Sequence, residues 1–390
     1  NRGRRMSRLD ELIAELCPDG VENKRLTDAT VMKRGTSLTK KNATIGAFPV
    51  ISGGREPAFF CDTFNREDET ITVAGSGAGA GYVQYWNKPI FVCDAFSIKG
   101  TNSILTKYLY YCLANMQDKI YSTKTGGGIP HVHISSIENF TIPIPPLPVQ
   151  REIVRILDNF TELTAELTAE LTARKKQYEY YRDELLTFGD DIPMVKLGNI
   201  ATDIFRGSGI KRNEVTVEGV PCIRYGEIYT SYEISFTNCI SHTNEDVVKN
   251  PKWFQHGDII FTITGESVEE IAKSIAYLGH EKCMAGGDTV VLKHNQEPRY
   301  ISYALSTRRA QEQKSKGKVK SKVVHSSVPA LKEIKIPLPD YKTQKRIADI
   351  LDNFHNLIND ISSGLPAEIA ARQKQYEYYR DKLLTFKELT

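Results

Sequence analysis

The sequence predicts a mixed α/β (α+β) protein made of two similar domains, each followed by a long helix. Three observations support this prediction. The segment RKKQYEYYRDELLTF (174–188) recurs almost unchanged at 372–386, and QREIVRILDNF (150–160) recurs as QKRIADILDNF at 344–354. Short β-like runs broken by Gly, Pro, Asn and Asp precede each pair. A chain of 390 residues with a repeat of about 194 therefore consists of two related halves.

Composition places the chain among ordinary globular proteins, with 40% hydrophobic and 25% charged residues. The net charge is only +3, so any affinity for nucleic acid would come from local basic patches. The seven cysteines form no C-x-x-C pair, which predicts reduced cytoplasmic thiols, with neither a disulfide framework nor a zinc site. No apolar run reaches membrane-spanning length and no signal peptide opens the chain, so we expect a cytoplasmic protein without a membrane partner.

The predicted elements follow the chain in order. Ser7 caps a short helix that ends at Pro18-Asp19-Gly20. Strand-like runs occur at 48–52, 70–74, 82–86 and 89–92, and a helix is predicted over 107–121. The predicted boundaries are 1–20 for a tag remnant and the short helix, 21–148 and 189–340 for the α/β domains, and 149–188 and 341–390 for the long helices.

The two α/β domains share a framework and differ in their loops. Arg34-Gly35-Thr36 matches Arg206-Gly207-Ser208 at an offset of 172, whereas ITVAGSG (71–77) matches FTITGES (261–267) at an offset of 190. The difference between the offsets, 190 − 172, gives the second domain about eighteen extra residues between these points.

Each long helix carries an apolar seam with steps of three and four residues, as coiled-coil helices do. Two related halves can bury both seams by pairing the helices antiparallel about a pseudo-two-fold axis, which joins and separates the domains. The motif Gly364-Leu365-Pro366 predicts a kink, or a stop and restart, in the second helix. The predicted seam or partner-interface residues are Phe160, Leu163, Leu167, Tyr178, Tyr180, Tyr181, Phe354, Leu357, Tyr376, Tyr378 and Tyr379.

No catalytic or metal-binding residue is predicted. The run GSGAGAG (75–81) has glycine at every second position, so neither phosphate-loop motif is met, and a tight turn or bulged strand is the better interpretation. His131 and His133 have no carboxylate or cysteine partner at useful spacing. A binding or scaffolding role is therefore favoured over catalysis.

The strongest electrostatic signal lies at 308–322, with seven basic residues and one acid. Its five lysines recur at period two, so on an extended segment all would face one side and suit a phosphate backbone. The alternative is a solvated loop. The predicted phosphate contacts are Lys314, Lys316, Lys318, Lys320 and Lys322, with Arg34, Lys40, Lys41, Lys124, Arg206, Lys211 and Arg212.

Base reading requires side chains with fixed donor geometry. Ser52 and Arg55 in ISGGRE, and Arg224 and Tyr225 in IRYGE, occupy corresponding loops with different identities. Two modules that read different sequences would show this difference, and arginine fits guanine in the major groove. Turn structure and surface ion pairs are the alternative.

Tyr180 and its counterpart Tyr378 lie off the seam. Each either packs on the adjacent domain or belongs to a partner surface. Because the segment around them is nearly identical in both halves while the domains diverge, the same partner is expected to dock on both copies.

These features resemble the specificity subunit of type I restriction-modification enzymes over essentially the whole chain. The most specific segments are IPIPPLPVQREIVRILDNF (142–160), its counterpart at 336–354, the RxKQYEYYRDxLLTF pair, FPVISGGREPA and ITVAGSGAGAGYV.

The resemblance implies two target-recognition domains that each bind half of a bipartite, asymmetric double-stranded DNA target, with the helices setting the spacer. It also implies two modification (methyltransferase) subunits and two restriction (translocase/nuclease) subunits as partners. S-adenosylmethionine, ATP and Mg²⁺ would then act in the partners, and this chain would hold no cofactor and no active site. The alternatives are a DNA-independent coiled-coil scaffold and an enzyme with an unrecognised site.

Overall fold

A computed structural model describes residues 7–318, 323–359 and 364–389. The chain forms two compact units, the first containing residues up to Thr168 together with those from Glu368 onwards, and the second containing Ala169–Ala367. Each unit combines antiparallel and mixed sheets with short helices, which confirms the predicted mixed α/β class.

In the first unit, a four-stranded antiparallel sheet lies beside a three-stranded sheet in which β3 pairs parallel with β7. The orders are β2-β8-β5-β6 and β4-β3-β7, and β1 pairs with β9. The helices are α1 (Arg8–Leu16), α2 (Leu26–Ala29), α3 (Thr106–Asn115), α4 (Gln117–Tyr121) and α5 (Ile134–Ile137), and the strands are β1 (Asn23–Arg25), β2 (Thr30–Arg34), β3 (Phe48–Ile51), β4 (Phe59–Cys61), β5 (Thr70–Ala74), β6 (Val83–Trp86), β7 (Phe91–Val92), β8 (Ala95–Gly100) and β9 (Thr141–Pro143).

The long helix α6 (Leu147–Leu185) has 39 residues, which corresponds to roughly 58 Å. Its residues up to Thr168 belong to the first unit and the remainder to the second. The second repeat instead has two helices, which end and begin on either side of residues 360–363, outside the described ranges.

The second unit repeats this topology and adds to it. Its sheets have the orders β11-β21-β17-β19-β14 and β12-β15-β13-β20-β16, and β10 pairs with β23 and β18 with β22. The parallel pair β13–β20 matches β3–β7, while α8, β14 and β16 accompany the extra residues of this half. The elements are β10 (Met194–Lys196), α7 (Leu197–Ile200), β11 (Ala201–Arg206), β12 (Val215–Thr216), β13 (Val220–Ile223), α8 (Tyr225–Thr230), β14 (Ser235–Phe236), β15 (Ser241–Thr243), β16 (Trp253–Phe254), β17 (Ile259–Thr262), β18 (Thr264–Gly265), β19 (Ser274–Tyr277), β20 (Cys283–Ala285), β21 (Thr289–His294), α9 (Pro298–Ser306), α10 (Arg308–Ser315), β22 (Val324–His325), α11 (Val328–Lys332), β23 (Lys335–Pro337) and α12 (Tyr341–Asn359). The last helix is α13 (Gly364–Leu383), which belongs to the first unit from Glu368 onwards.

Each unit takes core residues from the helices of both repeats. In the first unit, Leu157 from the start of α6 and Leu384 from the end of the chain belong to one buried cluster. In the second unit, Leu351 of α12 and Leu186 belong to the corresponding cluster. The RxKQYEYYRDxLLTF segment at the end of each repeat therefore packs in the unit formed mainly by the other repeat.

A fully buried glutamine fixes the start of the long helix to the domain before it in each unit. The Gln150 side chain accepts from the Leu105 amide at 2.8 Å and donates to Pro145 O at 2.7 Å. Gln344 accepts from the Glu297 amide at 3.1 Å and donates to Pro339 O at 2.8 Å. Because a buried amide without partners is costly, this matched bonding explains why glutamine opens both copies of the motif.

Candidate nucleic-acid interface and partner surface

A cleft opens at the base of the Arg-Gly loop in each unit. In the first unit a cavity of about 220 Å³ is lined by Arg34, Asp94 and His131, among others. In the second unit a cavity of about 610 Å³ is lined by Arg212, Arg224, Tyr225, Asp288 and neighbouring residues. The predicted contact Arg34 thus lines the first cleft with Asp94, and Arg212, Arg224 and Tyr225 line the second cleft with Asp288, the counterpart of Asp94.

Close backbone approach explains the glycine that follows the arginine in both loops. A Cβ on Gly35 would lie 2.0 Å from Cys93 O, and a Cβ on Gly207 would lie 2.1 Å from Gly286 O. No other residue fits at either position, so the loop leaves its strand along the same path in both units.

The arginine of the second cleft is held by a buried carboxylate. Glu227, 6% exposed, accepts from Arg224 Nε at 2.8 Å and from the Ser241 hydroxyl at 2.7 Å. Its other oxygen accepts from the Arg224 amide at 3.0 Å. Arg224, oriented through Nε by Glu227, lines the cleft beside Tyr225, which is 40% exposed.

Other predicted contacts of the second unit are already in ion pairs. Arg206 pairs with Asp288, and Lys211 lies 3.6 Å from Glu214. Both basic side chains remain more than half exposed, so a phosphate could compete for them.

The candidates of the first unit lie on exposed loops. Lys40 and Lys41 are exposed, and Ser52 is half-buried. The Arg55 guanidinium lies 4.9 Å from the centre of the Tyr82 ring, and Lys124 Nζ lies 4.1 Å from that of Tyr121. These cation–π contacts leave both basic residues at the surface.

The alternating glycines of 75–81 allow two loops to pack closely. A Cβ on Gly53 would lie 2.2 Å from Ser76 O, and a Cβ on Gly79 would lie 2.4 Å from Gly53 O. Residues 78–81 form turns, which confirms the turn interpretation.

The prediction of one extended lysine row is wrong. Residues Arg308–Ser315 form helix α10, and Lys314 is 5% exposed, with Nζ donating to Leu305 O at 2.8 Å. That carbonyl lies at the end of α9, where helix carbonyls need outside donors. Burial lowers the pKa of Lys314 to about 7.

The rest of the row is divided between exposed and undescribed residues. Lys316 is exposed, and Lys318 donates to His325 O at 2.6 Å. Lys320 and Lys322 lie outside the described residues. Lys316 therefore stays the best-placed phosphate contact of this segment.

The seam residues differ between the repeats. Phe160 stacks on Tyr379 with ring centroids 5.5 Å apart, and Tyr178 lies 6.0 Å from His355. Leu163 and Leu167 are half-buried, as is Tyr376, which packs against the first core.

The expectation that Leu357 is buried in the seam is wrong, because the residue is 71% exposed. At 100° per residue it lies about 100° around α12 from the mean direction of the buried Ile347, Leu351 and Ile358. Phe354 is 44% exposed, and among the described residues no aromatic ring packs on it as Tyr379 packs on Phe160.

The two copies of the aromatic motif present the same surface. Tyr180 and Tyr378 are each 63% exposed. Tyr180 forms a T-shaped pair with Tyr181 at 5.5 Å and 74°, and Tyr378 forms one with Tyr379 at 5.3 Å and 75°. This exposure argues against packing on an adjacent domain and favours the partner-surface alternative.

In the described ranges 7–318, 323–359 and 364–389, no group of three or more His, Cys, Asp or Glu residues could hold a metal ion. The seven cysteines are free thiols. None of the helices within those ranges combines the length and apolar character needed to cross a membrane.

Two similar units with polar, arginine-lined clefts and a repeated aromatic surface define a duplicated recognition protein. Residues 18–174 and 190–371 match the type I restriction modification DNA specificity domain, and the chain belongs to this family. It is a DNA sequence-specificity subunit of a type I restriction-modification system, a family whose partners are DNA and the methyltransferase and restriction subunits.

Similar proteins span most of the chain. The EcoR124I/EcoR124II type I restriction enzyme specificity subunit from Escherichia coli is 34% identical over 73% of this chain and 72% of its own length. A putative specificity subunit from Haemophilus influenzae is 28% identical over 84% and 85%, respectively.

Solved structures confirm the fold. The S subunit of a type I restriction-modification system from M. genitalium superposes with a TM-score of 0.54 at 18% identity, covering 93% of this chain and 96% of that one. A structure that describes complex assembly and conformational transition of the type I R-M system gives 0.61 at 16% identity, covering 95% and 98%.

Proposed function

We propose that each unit reads one half of a bipartite, asymmetric double-stranded DNA target, and that the long helices set the unread spacer. The observation that carries this proposal is a contrast within the repeat. Loops at corresponding positions of the sequence repeat differ, with Ser52 and Arg55 in one unit and Arg224 and Tyr225 in the other, as two different half-sites require. The exposed tyrosine pairs are the same, as one partner bound twice requires.

We also infer that two modification subunits dock on the repeated helix motif and that two restriction subunits complete the assembly in the cytoplasm. The modification subunits would use S-adenosylmethionine, and the restriction subunits would use ATP and Mg²⁺. The chain itself supplies specificity and no catalytic site. Basic residues around the clefts would contact phosphates and set the register on the duplex.

Methylation sequencing of the source genome, with and without this gene, tests the proposal. We expect one gapped, two-part methylated motif to disappear when the gene is deleted. An unchanged methylome, with the partner subunits expressed, would instead indicate a DNA-independent coiled-coil scaffold.

A second assay addresses the enzyme alternative. The purified chain is incubated with DNA and S-adenosylmethionine, and separately with DNA and Mg²⁺. We expect neither methyl transfer nor cleavage until the modification and restriction subunits are added. Robust activity of the chain alone would contradict a purely specifying role.

A further inference from the structure

Two aliphatic side chains on corresponding loops are almost fully exposed to solvent. Ile45 is 92% exposed and Val217 is 90% exposed. These are the two largest values among the exposed large hydrophobic side chains of the described residues, and the next, Leu357, is 71%. A single exposed aliphatic residue needs no explanation. Two exposed aliphatic residues at the same position of a duplicated fold do need an explanation.

The correspondence between the two residues follows from the register of the repeat. Arg34–Ile51 aligns with Arg206–Ile223 without a gap at an offset of 172, and 45 + 172 = 217. A threonine precedes the aliphatic residue in both loops. Between the shared Arg-Gly pair and the shared proline this threonine is the only identical residue, and a β-branched aliphatic residue follows it directly in both loops.

The backbone beside Ile45 is fixed. Thr44 O accepts from the Asp62 amide at 3.1 Å. On the other side, a Cβ on Gly46 would lie 2.4 Å from Cys61 O, so this glycine lies directly against β4. Ile45 therefore projects from a held backbone.

Val217 is held in a comparable way by different bonds. Thr216 pairs with His242 between β12 and β15, and its hydroxyl donates to Glu218 O at 2.7 Å. Gly219 closes the turn with φ +128°, a conformation that favours glycine. Both tips are thus rigid enough to present an apolar group at a fixed place.

The same loops carry the basic residues of the candidate interface. Lys40 and Lys41 precede Ile45, and Lys211 and Arg212 precede Val217. The first loop starts at Arg34 and Gly35, which line the first cleft, and the second loop contributes Gly209, Ile210 and Arg212 to the second cleft. Basic side chains next to an apolar tip match the chemistry of a DNA groove, where phosphates flank the apolar methyl of thymine.

We propose that Ile45 and Val217 are specificity-determining contacts, each of which meets a thymine methyl in the major groove of the half-site read by its own unit. This inference rests on the proposed function and adds to it the base that each loop tip recognises. Loss of the contact between the side-chain methyl and the thymine methyl should weaken binding by a factor on the order of five.

The test uses the complex assembled with its modification subunits and duplex DNA that carries the target found by methylation sequencing. The variants are Ile45→Thr and Val217→Thr, which keep β-branching and replace apolar surface by a hydroxyl. Matched controls are Val31→Thr, 47% exposed on β2, and Ile240→Thr, 58% exposed in the second unit. Each protein is titrated with the target and with duplexes in which uracil replaces thymine in one half-site, which removes only the methyl.

We expect each tip variant to bind the target about fivefold more weakly, while the controls and the midpoints of thermal unfolding stay unchanged. The salt dependence should also stay the same, since no charge is altered. Uracil in one half-site should weaken the wild-type complex but not further weaken Ile45→Thr, and uracil in the other half-site should behave in the same way with Val217→Thr.

The inference would be overturned if both tip variants bound the target as tightly as the wild type does. It would also be overturned if the uracil substitution weakened a tip variant as much as it weakens the wild type. Either result would leave the proposed function standing. If the wild-type complex recognises no bipartite target, the proposed function fails and the inference fails with it.

Discussion

Tyr303 donates its hydroxyl to the carboxylate of Asp352 at 2.7 Å and so joins α9 to α12. Arg299 contacts the other oxygen of Asp352 at 2.6 Å. The first repeat has the same arrangement, because Tyr111 donates to Asp158. This aspartate, the Asp of the ILDNF motif in both halves, therefore fixes each long helix to its own domain.

We predict that Tyr303→Phe destabilises the second unit by about 1.5–3 kcal/mol, the usual contribution of a hydrogen bond to a charged group. Urea denaturation followed by circular dichroism measures the change in the free energy of unfolding. Tyr341→Phe is the matched control, since Tyr341 is 55% exposed at the start of the same helix. Equal stability of both variants would show that the Tyr303–Asp352 bond contributes nothing.

Lys314 makes the stability of the second unit depend on pH. Its pKa is lowered to about 7 in the folded chain, so between pH 7 and 9 the unfolded chain binds more protons and stability rises with pH. We predict that Lys314→Met, which preserves volume, removes this rise, whose slope is at most about 1.4 kcal/mol per pH unit. The measurement is the free energy of unfolding of both proteins at several pH values under reducing conditions. Parallel pH profiles would contradict the prediction.

The exposed Lys316 is the predicted phosphate contact of this segment, whereas the buried Lys314 has a structural role. We predict that Lys316→Gln weakens binding of the assembled complex to all duplexes and lowers the salt slope by about one, as loss of one phosphate contact requires. Lys345→Gln, an exposed change on α12, is the control and should leave the slope unchanged. An unchanged slope for Lys316→Gln as well would remove this segment from the interface.

The duplicated α/β fold could be predicted from the sequence because the repeat is local and strong. Glutamine and aspartate recur at the same positions of both helix motifs, and the structure gives both copies the same hydrogen bonds. Motifs that recur for packing reasons are readable without a structure, since each copy faces the same environment.

The lysine row could not be predicted correctly, because tertiary contacts decide the conformation of a polar segment. Period-two spacing fits an extended strand, yet 308–315 is helical and Lys314 binds a carbonyl of the preceding helix.

The role of Glu227 could not be predicted from the sequence for a similar reason. A carboxylate three residues after Arg224 resembles an ordinary surface ion pair in sequence, and only its burial shows that it orients the arginine.

Glu227 is a positioning residue for Arg224, which leads to a prediction about specificity. We expect Glu227→Gln to relax base preference in one half-site only, because the guanidinium loses its charged partner, and Arg224→Lys to do so more strongly, because lysine lacks the forked donors. Methylation sequencing with each variant measures the preference at every position of the motif. Ser241→Ala, which removes only the hydroxyl bond to Glu227, should give the smallest change of the three.

A purely structural role for Glu227 makes a different prediction. Lower methylation of all sites at unchanged base preference would assign the Glu227–Arg224 pair to folding of the second unit and not to recognition.

The equal exposure of Tyr180 and Tyr378 leads to a prediction about assembly. If one modification subunit docks on each copy, Tyr180→Ser and Tyr378→Ser should each remove one of two bound subunits, and the double variant should remove both, because loss of an aromatic anchor weakens an interface strongly. Mass measurement of the complex by light scattering gives the stoichiometry. Tyr341→Ser is the control, because this exposed tyrosine lies outside the RxKQYEYYRDxLLTF segments. Full stoichiometry in the double variant would mean that the modification subunits bind elsewhere, and that the repeated tyrosines serve only to pack the helix ends.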